Sequence, residues 1–123
     1  MEIIWSSRFE SDVRYYFKKK KYTKILDDID KVVSELKAGN FIGDRLENVN
    51  ISDNLAVYKV RIANTSVNLG KSNGFRMIYY LKFGEKIYLV TIYSKKDDNR
   101  IPTDAQIVEL IKTLLNPEQS QRR

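Results

Sequence analysis

Residues 59–96 read KVRIANTSVNLGKSNGFRMIYYLKFGEKIYLVTIYSKK and hold three runs with the composition of β-strands, separated by glycine-containing connections. The surplus positive charge of the chain lies in the same part. Residues 51–96 contain eight Lys and Arg against two acidic residues, so their net charge equals the +6 of the whole chain. A fold does not require this separation of charge, whereas a polyanionic partner does. The stretch therefore predicts a β-sheet with a positively charged surface.

The composition restricts the class of protein. A chain of 123 residues, 42% hydrophobic and 31% charged, is typical of one globular domain, which we place at residues 1–117, with a disordered tail at 118–123. The pI of about 9.5 favours nucleic acid as the partner, with an anionic membrane or an acidic protein as second choices. Without cysteine and histidine, any catalysis must use Lys, Arg, Tyr or carboxylates. The sequence has neither a signal-peptide pattern nor a long apolar run, so we expect a cytoplasmic protein without a membrane partner.

Hydrophobic spacing and turn residues predict the element order β-α-α-β-β-β-α. We expect an α+β fold in which one small, twisted, mostly antiparallel sheet carries an N-terminal helical hairpin on one face and leaves the other face open for binding. The predicted strands are Ile3–Trp5, Ala56–Ile62, Phe75–Phe83 and Lys86–Ser94, with a tight turn at Gly84–Glu85. The first predicted helix begins with a Ser7–Glu10 capping box, and the second runs from about Thr23 to Ala38 and stops at Gly39. The third begins with a Thr103–Gln106 capping box and stops at Asn116–Pro117.

Strand alternation predicts where the cations point. Lys59 and Arg61 share one face of their strand, and Arg76 lies on the same side as Ile78 and Tyr80. Neighbouring cations repel each other, and a phosphate placed between them would relieve the repulsion. Each cation alone is also compatible with an ordinary solvated surface. The cluster, with so few acids near it, favours a phosphate-binding face.

Two other site types are less compatible with this stretch. Gly70-Lys71-Ser72 is similar to the end of a P-loop, but the first glycine of that motif is replaced by Thr65, and the segment connects two strands. We therefore expect Lys71 to contact a backbone phosphate of a nucleic acid and not a nucleoside triphosphate. A two-metal site needs convergent carboxylates, and Asp53 and Glu85 each lie near a turn, so no metal site is predicted.

Four segments together resemble toxins of the RelE/ParE superfamily, in particular the HigB-like branch. They are GNFIGDRL at 39–46, YKVRI at 58–62, GKSNGFRMIYY at 70–80 and IYLVTIYSK at 87–95, and the resemblance extends over roughly residues 7–115. It implies the toxin of a toxin–antitoxin module: a cytoplasmic, ribosome-dependent mRNA endonuclease, or mRNA interferase, that inhibits translation. The implied partners are the ribosome, mRNA and a cognate helix-turn-helix antitoxin, and the implied chemistry needs no metal or cofactor.

The resemblance also implies a set of site residues. By position, Lys59 and Arg61 match the paired cations of the family's second strand, Arg76 the arginine after the glycine loop, and Lys95 with Lys96 the basic pair that ends the last strand. The tyrosine or histidine that some members carry near the C-terminal end has no clear counterpart. Tyr93 is the nearest candidate, so the general acid and base stay open.

The chemistry of RNA cleavage suits such residues. RNA supplies its own nucleophile, the 2′-OH, and preorganised cations stabilise the charge that develops on phosphorus. Arg76 is the predicted phosphate clamp because its planar fork binds two oxygens. Cation crowding would lower the pKa of Lys59 or Lys95, which makes either a candidate for proton transfer. Tyr80 or Tyr93 would stack on a base.

Two alternatives come from other functional classes. A ParE-like protein would inhibit a DNA topoisomerase through protein contacts, and a plain single-stranded RNA-binding module would use the same face without cleavage. The full set of Lys59, Arg61, Arg76 and Lys95 favours the nuclease.

Overall fold

The structure, a computed structural model, describes residues 1–52, 55–83 and 86–115. In these residues the chain forms three α-helices and a mixed sheet of five strands. The helices are α1 (Ser7–Lys18), α2 (Ile25–Lys37) and α3 (Asp104–Leu115), and the strands are β1 (Glu2–Trp5), β2 (Asp44–Arg45), β3 (Leu55–Ile62), β4 (Phe75–Lys82) and β5 (Lys86–Ser94). The strand order is β1-β5-β4-β3-β2, with β1 parallel to β5 and the other neighbours antiparallel.

The predicted α+β class is confirmed, and the observed sheet adds one strand to the predicted order. That strand, β2, lies in the segment Phe41–Leu46, for which no strand was predicted. A two-residue strand has no periodicity, so the sequence carries no signal for it. The predicted turn at Gly84–Glu85, the stop at Asn116–Pro117 and the tail at 118–123 lie outside the described residues.

Both faces of the sheet carry a hydrophobic core. We call the side under α1 and α2 the hairpin face and the opposite side the α3 face. The expectation that this second face is open is therefore wrong for the part that α3 covers, where Ile107 and Ile111 are buried and each contributes roughly 1.5–3 kcal/mol. The hairpin face includes Phe9, Val13, Ile29, Leu36, Val60, Ile62, Met77, Tyr79 and Leu89; the α3 face includes Leu55, Val57, Ile78, Tyr80, Val90, Tyr93, Ile107 and Ile111.

The edge of β5 is closed by side chains instead of a strand. β1 pairs with β5 only from Lys86 to Leu89. Beyond that point the N-terminal cap and one face of α1 supply polar atoms to the backbone of β5. Ser6 Oγ donates to Val90 O at 2.9 Å, Ile92 N–H donates to Asp12 Oδ2 at 3.1 Å, and Ser94 N–H donates to Tyr16 Oη at 2.9 Å. This edge therefore cannot accept another strand, since its backbone groups are already bonded.

The helix ends show where local signals suffice. Thr103 and Gln106 form the predicted capping box, with Thr103 N–H donating to Gln106 Oε1 at 2.8 Å and Gln106 N–H donating to Thr103 Oγ1 at 3.1 Å. The cap of α1 is Ser6 and not the predicted Ser7, because Ser6 Oγ accepts from Phe9 N–H at 3.0 Å while also bonding β5. Gly39 follows α2 with φ of +89°, as expected for a helix stop.

Candidate functional site

β3 and β4 place two arginines directly opposite each other on the α3 face. Arg61 is the register partner of Arg76, and Arg76 is the partner of Tyr93 on β5. Arg61 is exposed and Arg76 is half-buried. Burial, followed by the charge of Arg61, lowers the pKa of Arg76 below its usual value. Because directly opposed like charges destabilise a sheet, an anion bound between the two side chains would relieve this repulsion.

Two lysines extend this pair. Lys59 lies two residues before Arg61 and therefore on the same face, and exposed Lys71 lines a groove together with Arg61. We call Lys59, Arg61, Lys71 and Arg76 the cationic cluster. The sequence did not indicate that Asp44 on β2 is the register partner of Lys59, since β2 itself was not predicted. No ion pair within the described residues joins these two side chains.

The guanidinium of Arg76 fastens the loop that precedes β4. Nη1 donates to Lys71 O at 3.0 Å and to Phe75 O at 3.2 Å, and Nη2 donates to Ser72 O at 3.1 Å. Three of the five guanidinium N–H groups are thus bonded to backbone. Only Nε–H and one Nη2–H of Arg76 therefore remain to bind the phosphate oxygens, as the prediction requires. Lys71 belongs to the loop that these hydrogen bonds hold, so its position depends on Arg76.

Gly74 brings this loop close to β3. A Cβ at this position would lie 2.2 Å from Ile62 O and 2.8 Å from Asn64 N, distances that real Cβ atoms do not show. The obstructing atoms are backbone atoms of the end of β3, which cannot rotate away. Only glycine fits here, so the loop geometry depends on this residue.

We expect Gly74→Ala to destabilise the protein by about 2 kcal/mol, since overpacking against backbone forces the loop and β3 apart. Gly70→Ala is the matched control, because a Cβ there meets nothing within 4 Å. Urea unfolding of both variants measures the difference. Equal unfolding midpoints for the two variants would contradict this account of the loop.

The end of β5 lies against the same loop. Lys95, the first residue after β5, donates its N–H to Gly74 O at 2.9 Å. Lys96 follows in the turn, where its N–H donates to Ser94 Oγ at 3.3 Å. Both lysine side chains are exposed. Lys95 is therefore next to the cationic cluster, whereas no contact connects Lys96 with it in the described part of the chain.

The two predicted stacking tyrosines are not available to a base. Tyr80 is 0% exposed and stacks on Tyr88 with ring centroids 4.6 Å apart, within the cluster that α3 covers. The predicted contact of Tyr80 with RNA is wrong for this reason. Tyr93 is 5% exposed, which also leaves too little of its ring for stacking. Burial raises the pKa of Tyr93, and the charge of Arg76 only partly opposes this, so its hydroxyl stays protonated and can donate.

Three further observations concern the described residues as a whole. They contain no group of three His, Cys, Asp or Glu side chains that could hold a metal ion. None of their helices has the length and apolar character needed to cross a bilayer. The side chain of Asn64, at the end of β3, is buried, and neither its Oδ1 nor its Nδ2 has a hydrogen-bond partner among these residues.

The sequence matches no protein-family model and no curated protein.

Proposed function

We propose that this protein is a metal-independent endoribonuclease of the RelE/ParE superfamily, in its HigB-like branch, that cleaves mRNA on the ribosome as the toxin of a toxin–antitoxin module. The observation that carries the proposal is the cross-strand pair of Arg61 and Arg76, flanked by Lys59 and Lys71. The resemblance of residues 58–62, 70–80 and 87–95 to that family, which includes these same cations, also supports it. A cognate helix-turn-helix antitoxin and the ribosome are the proposed partners, in the cytoplasm.

The proposed reaction is an internal phosphoryl transfer. The 2′-oxygen attacks the adjacent phosphorus, the bond from phosphorus to the 5′-oxygen breaks, and the products carry a 2′,3′-cyclic phosphate and a 5′-hydroxyl. A base accepts the proton of the 2′-OH, and an acid gives a proton to the leaving 5′-oxygen. The pentacoordinate state that forms before the 5′-oxygen leaves is dianionic at phosphorus. Cations held in place before the reaction stabilise that charge, because they need no reorganisation during the step.

The position of each residue suggests its role. Arg61 is exposed and makes no hydrogen bond or ion pair among the described residues, so its whole fork is available for two phosphate oxygens. Arg76 adds its remaining N–H groups and holds the loop that presents Lys71. Lys59 or Lys95 stays the candidate base. Tyr93, protonated and next to Arg76, joins them as a candidate acid.

Primer extension on mRNA in a translating extract tests the proposal. We expect new 5′ ends within codons, and loss of each cut when the nucleotide that supplies the 2′-OH is replaced by its 2′-deoxy form. Arg61→Ala should reduce cleavage about 100-fold, the usual effect of losing one preorganised donor to a developing oxyanion. Lys112→Ala, an exposed change on α3, should leave it unchanged.

The other outcomes distinguish the alternatives. Growth arrest with intact mRNA and damaged DNA would contradict the nuclease and favour a ParE-like inhibitor of a topoisomerase. RNA binding without cleavage or DNA damage would leave a single-stranded RNA-binding module.

A further inference from the structure

The outer edge of β3 is open beyond β2. β2 pairs only with Tyr58 and Lys59, whereas β3 continues to Ile62. Backbone groups alternate in direction along a strand. Val57 O points to the outer edge, where it accepts from Leu46 N–H at 2.8 Å, while Asn64 exchanges both of its bonds with Leu69 on the inner side.

The backbone groups of Arg61 and Ala63 must therefore point to the outer edge, as those of Val57 do. No described residue bonds to the N–H or C=O of either one. An edge with unbonded N–H and C=O groups is a template for one more strand.

A groove of about 360 Å³ lies beside this edge, between β3 and α2. Its two sides differ in chemistry. The side toward the hairpin face combines apolar Val32 and Ile62 with charged residues of α2, and the side toward the α3 face carries Arg61 and Lys71.

The acids of the groove are already bonded. The carboxylate of Asp28 accepts from Thr65 N–H at 3.0 Å and from Thr65 Oγ1 at 2.7 Å. Glu35 Oε2 accepts from Asn40 Nδ2 at 2.9 Å. These donors are neutral, so the groove keeps two carboxylates beside its three cations, Lys31, Arg61 and Lys71. Neither acid lies on β3 or on the loop that carries Lys71, so the part of the lining next to the β3 edge is cationic.

We infer that this edge binds an extended segment of a partner protein as an added β-strand, in which acidic residues alternate with apolar ones. Successive side chains of a strand point to opposite faces. One set would lie against Val32 and Ile62, and the other would meet Arg61 and Lys71. Backbone bonds to Arg61 and Ala63 supply affinity, and the alternation supplies specificity.

A second copy of this chain does not fit the edge. Self-pairing through β3 would bring Arg61 and Lys71 of one copy against the same residues of the other. Like charges at opposed positions destabilise a sheet, and charged side chains at an edge are a known protection against self-association. The same charges attract an acidic strand.

Binding at this edge has a consequence for the cationic cluster. A carboxylate seated on Arg61 occupies the fork that the proposed function assigns to phosphate. If that function holds, the acidic strand competes with RNA. The docking itself does not depend on the proposed function, and the experiment below measures it without RNA.

The test uses the full chain and a labelled peptide, acetyl-Val-Glu-Val-Glu-Val-Glu-amide. A residue directly opposite Arg61 in a hydrogen-bonded antiparallel pair shares its face and exchanges both backbone bonds with it. Since Arg61 attracts an acidic side chain, that residue must be a Glu. The backbone N–H groups of the Glu residues must therefore donate to the carbonyl oxygens of the β3 edge. Methylation of the Glu nitrogens should abolish binding, and methylation of the Val nitrogens should preserve it.

Amide hydrogen exchange locates the peptide. The amides of Arg61 and Ala63 should exchange more slowly in the complex, whereas the amide of Ile62, which already faces β4, should change little. Arg61→Glu should weaken binding about tenfold, and Lys112→Glu should not. Equal binding of the two methylated peptides, binding without protection of Arg61 and Ala63, or no binding up to about 1 mM would each overturn the inference.

Discussion

Replacing Arg76 by alanine is expected to lower mRNA cleavage by roughly 100-fold to 1,000-fold while the protein remains folded. Two losses combine. The charge opposite Arg61 disappears from the place where negative charge develops, and the carbonyls of Lys71 and Ser72 lose the donors that hold the loop. The fold tolerates the change because Arg76 is half-buried and the repulsion from Arg61 is removed with it.

Arg76→Lys separates the two contributions. A lysine keeps one positive charge at this position, but its ammonium cannot reproduce the fork that bonds three carbonyl oxygens. Partial activity in Arg76→Lys would assign the main effect to charge, and activity as low as that of Arg76→Ala would assign it to the loop. Both variants need an unfolding midpoint close to that of the wild type. Cleavage at the wild-type rate in a folded Arg76→Ala variant would contradict the site.

Much of the cationic cluster could be predicted from the sequence, because the alternation of side chains along a strand is a local rule. Strand alternation predicts that Lys59 and Arg61 share a face of β3 and that Arg76 lies on one face of β4, while the register of the two strands, which was not predicted, places Arg61 against Arg76. The same alternation correctly puts Tyr80 on that face. Its burial depends on α3, which lies far along the chain and packs over it, so no local pattern predicts it.

The polar features that depend on distant contacts were not predicted. By local criteria Ser7 is the better cap, because Glu10 completes a capping box with it, whereas the observed cap, Ser6, also bonds Val90 on β5. The role of Asp12 had a visible signal. Asp12 lies three residues after Phe9 and four before Tyr16, on the buried stripe of α1, where an ordinary surface acid would not lie.

Asp12 connects three parts of the molecule. It is buried on α1, and its Oδ2 accepts from Thr91 Oγ1 and from Ile92 N–H, both on β5. Its Oδ1 accepts from Arg8 Nε at 3.1 Å and lies 3.8 Å from Arg100 Nη2. Arg100 belongs to a short 3₁₀ helix between β5 and α3. One carboxylate thus joins α1, the edge of β5 and the segment that leads to α3.

The guanidinium of Arg100 is held from two sides. Its central carbon lies 3.7 Å from the centroid of the Tyr15 ring, and its Nε is buried without a hydrogen-bond partner among the described residues. Asp12 is therefore the charge that compensates a cation already removed in part from water. Removal of that carboxylate leaves the cation uncompensated, which is costly in a partly buried position.

We accordingly expect Asp12→Ala to lower the free energy of unfolding by about 3 kcal/mol, near the lower end of what the loss of one partner of a buried ion pair costs, since Arg8 and Arg100 are partly exposed. Asp12→Asn keeps an acceptor for Ile92 N–H, so it should lose less. Asp30→Ala, an exposed acid on α2, should change stability by less than about 0.5 kcal/mol. Urea unfolding gives the three values, and amide exchange of Ile92 shows whether the edge of β5 opens. An Asp12→Ala variant as stable as Asp30→Ala, with Ile92 still protected, would mean that β5 is held by its neighbouring strands alone and that the carboxylate is dispensable to the fold.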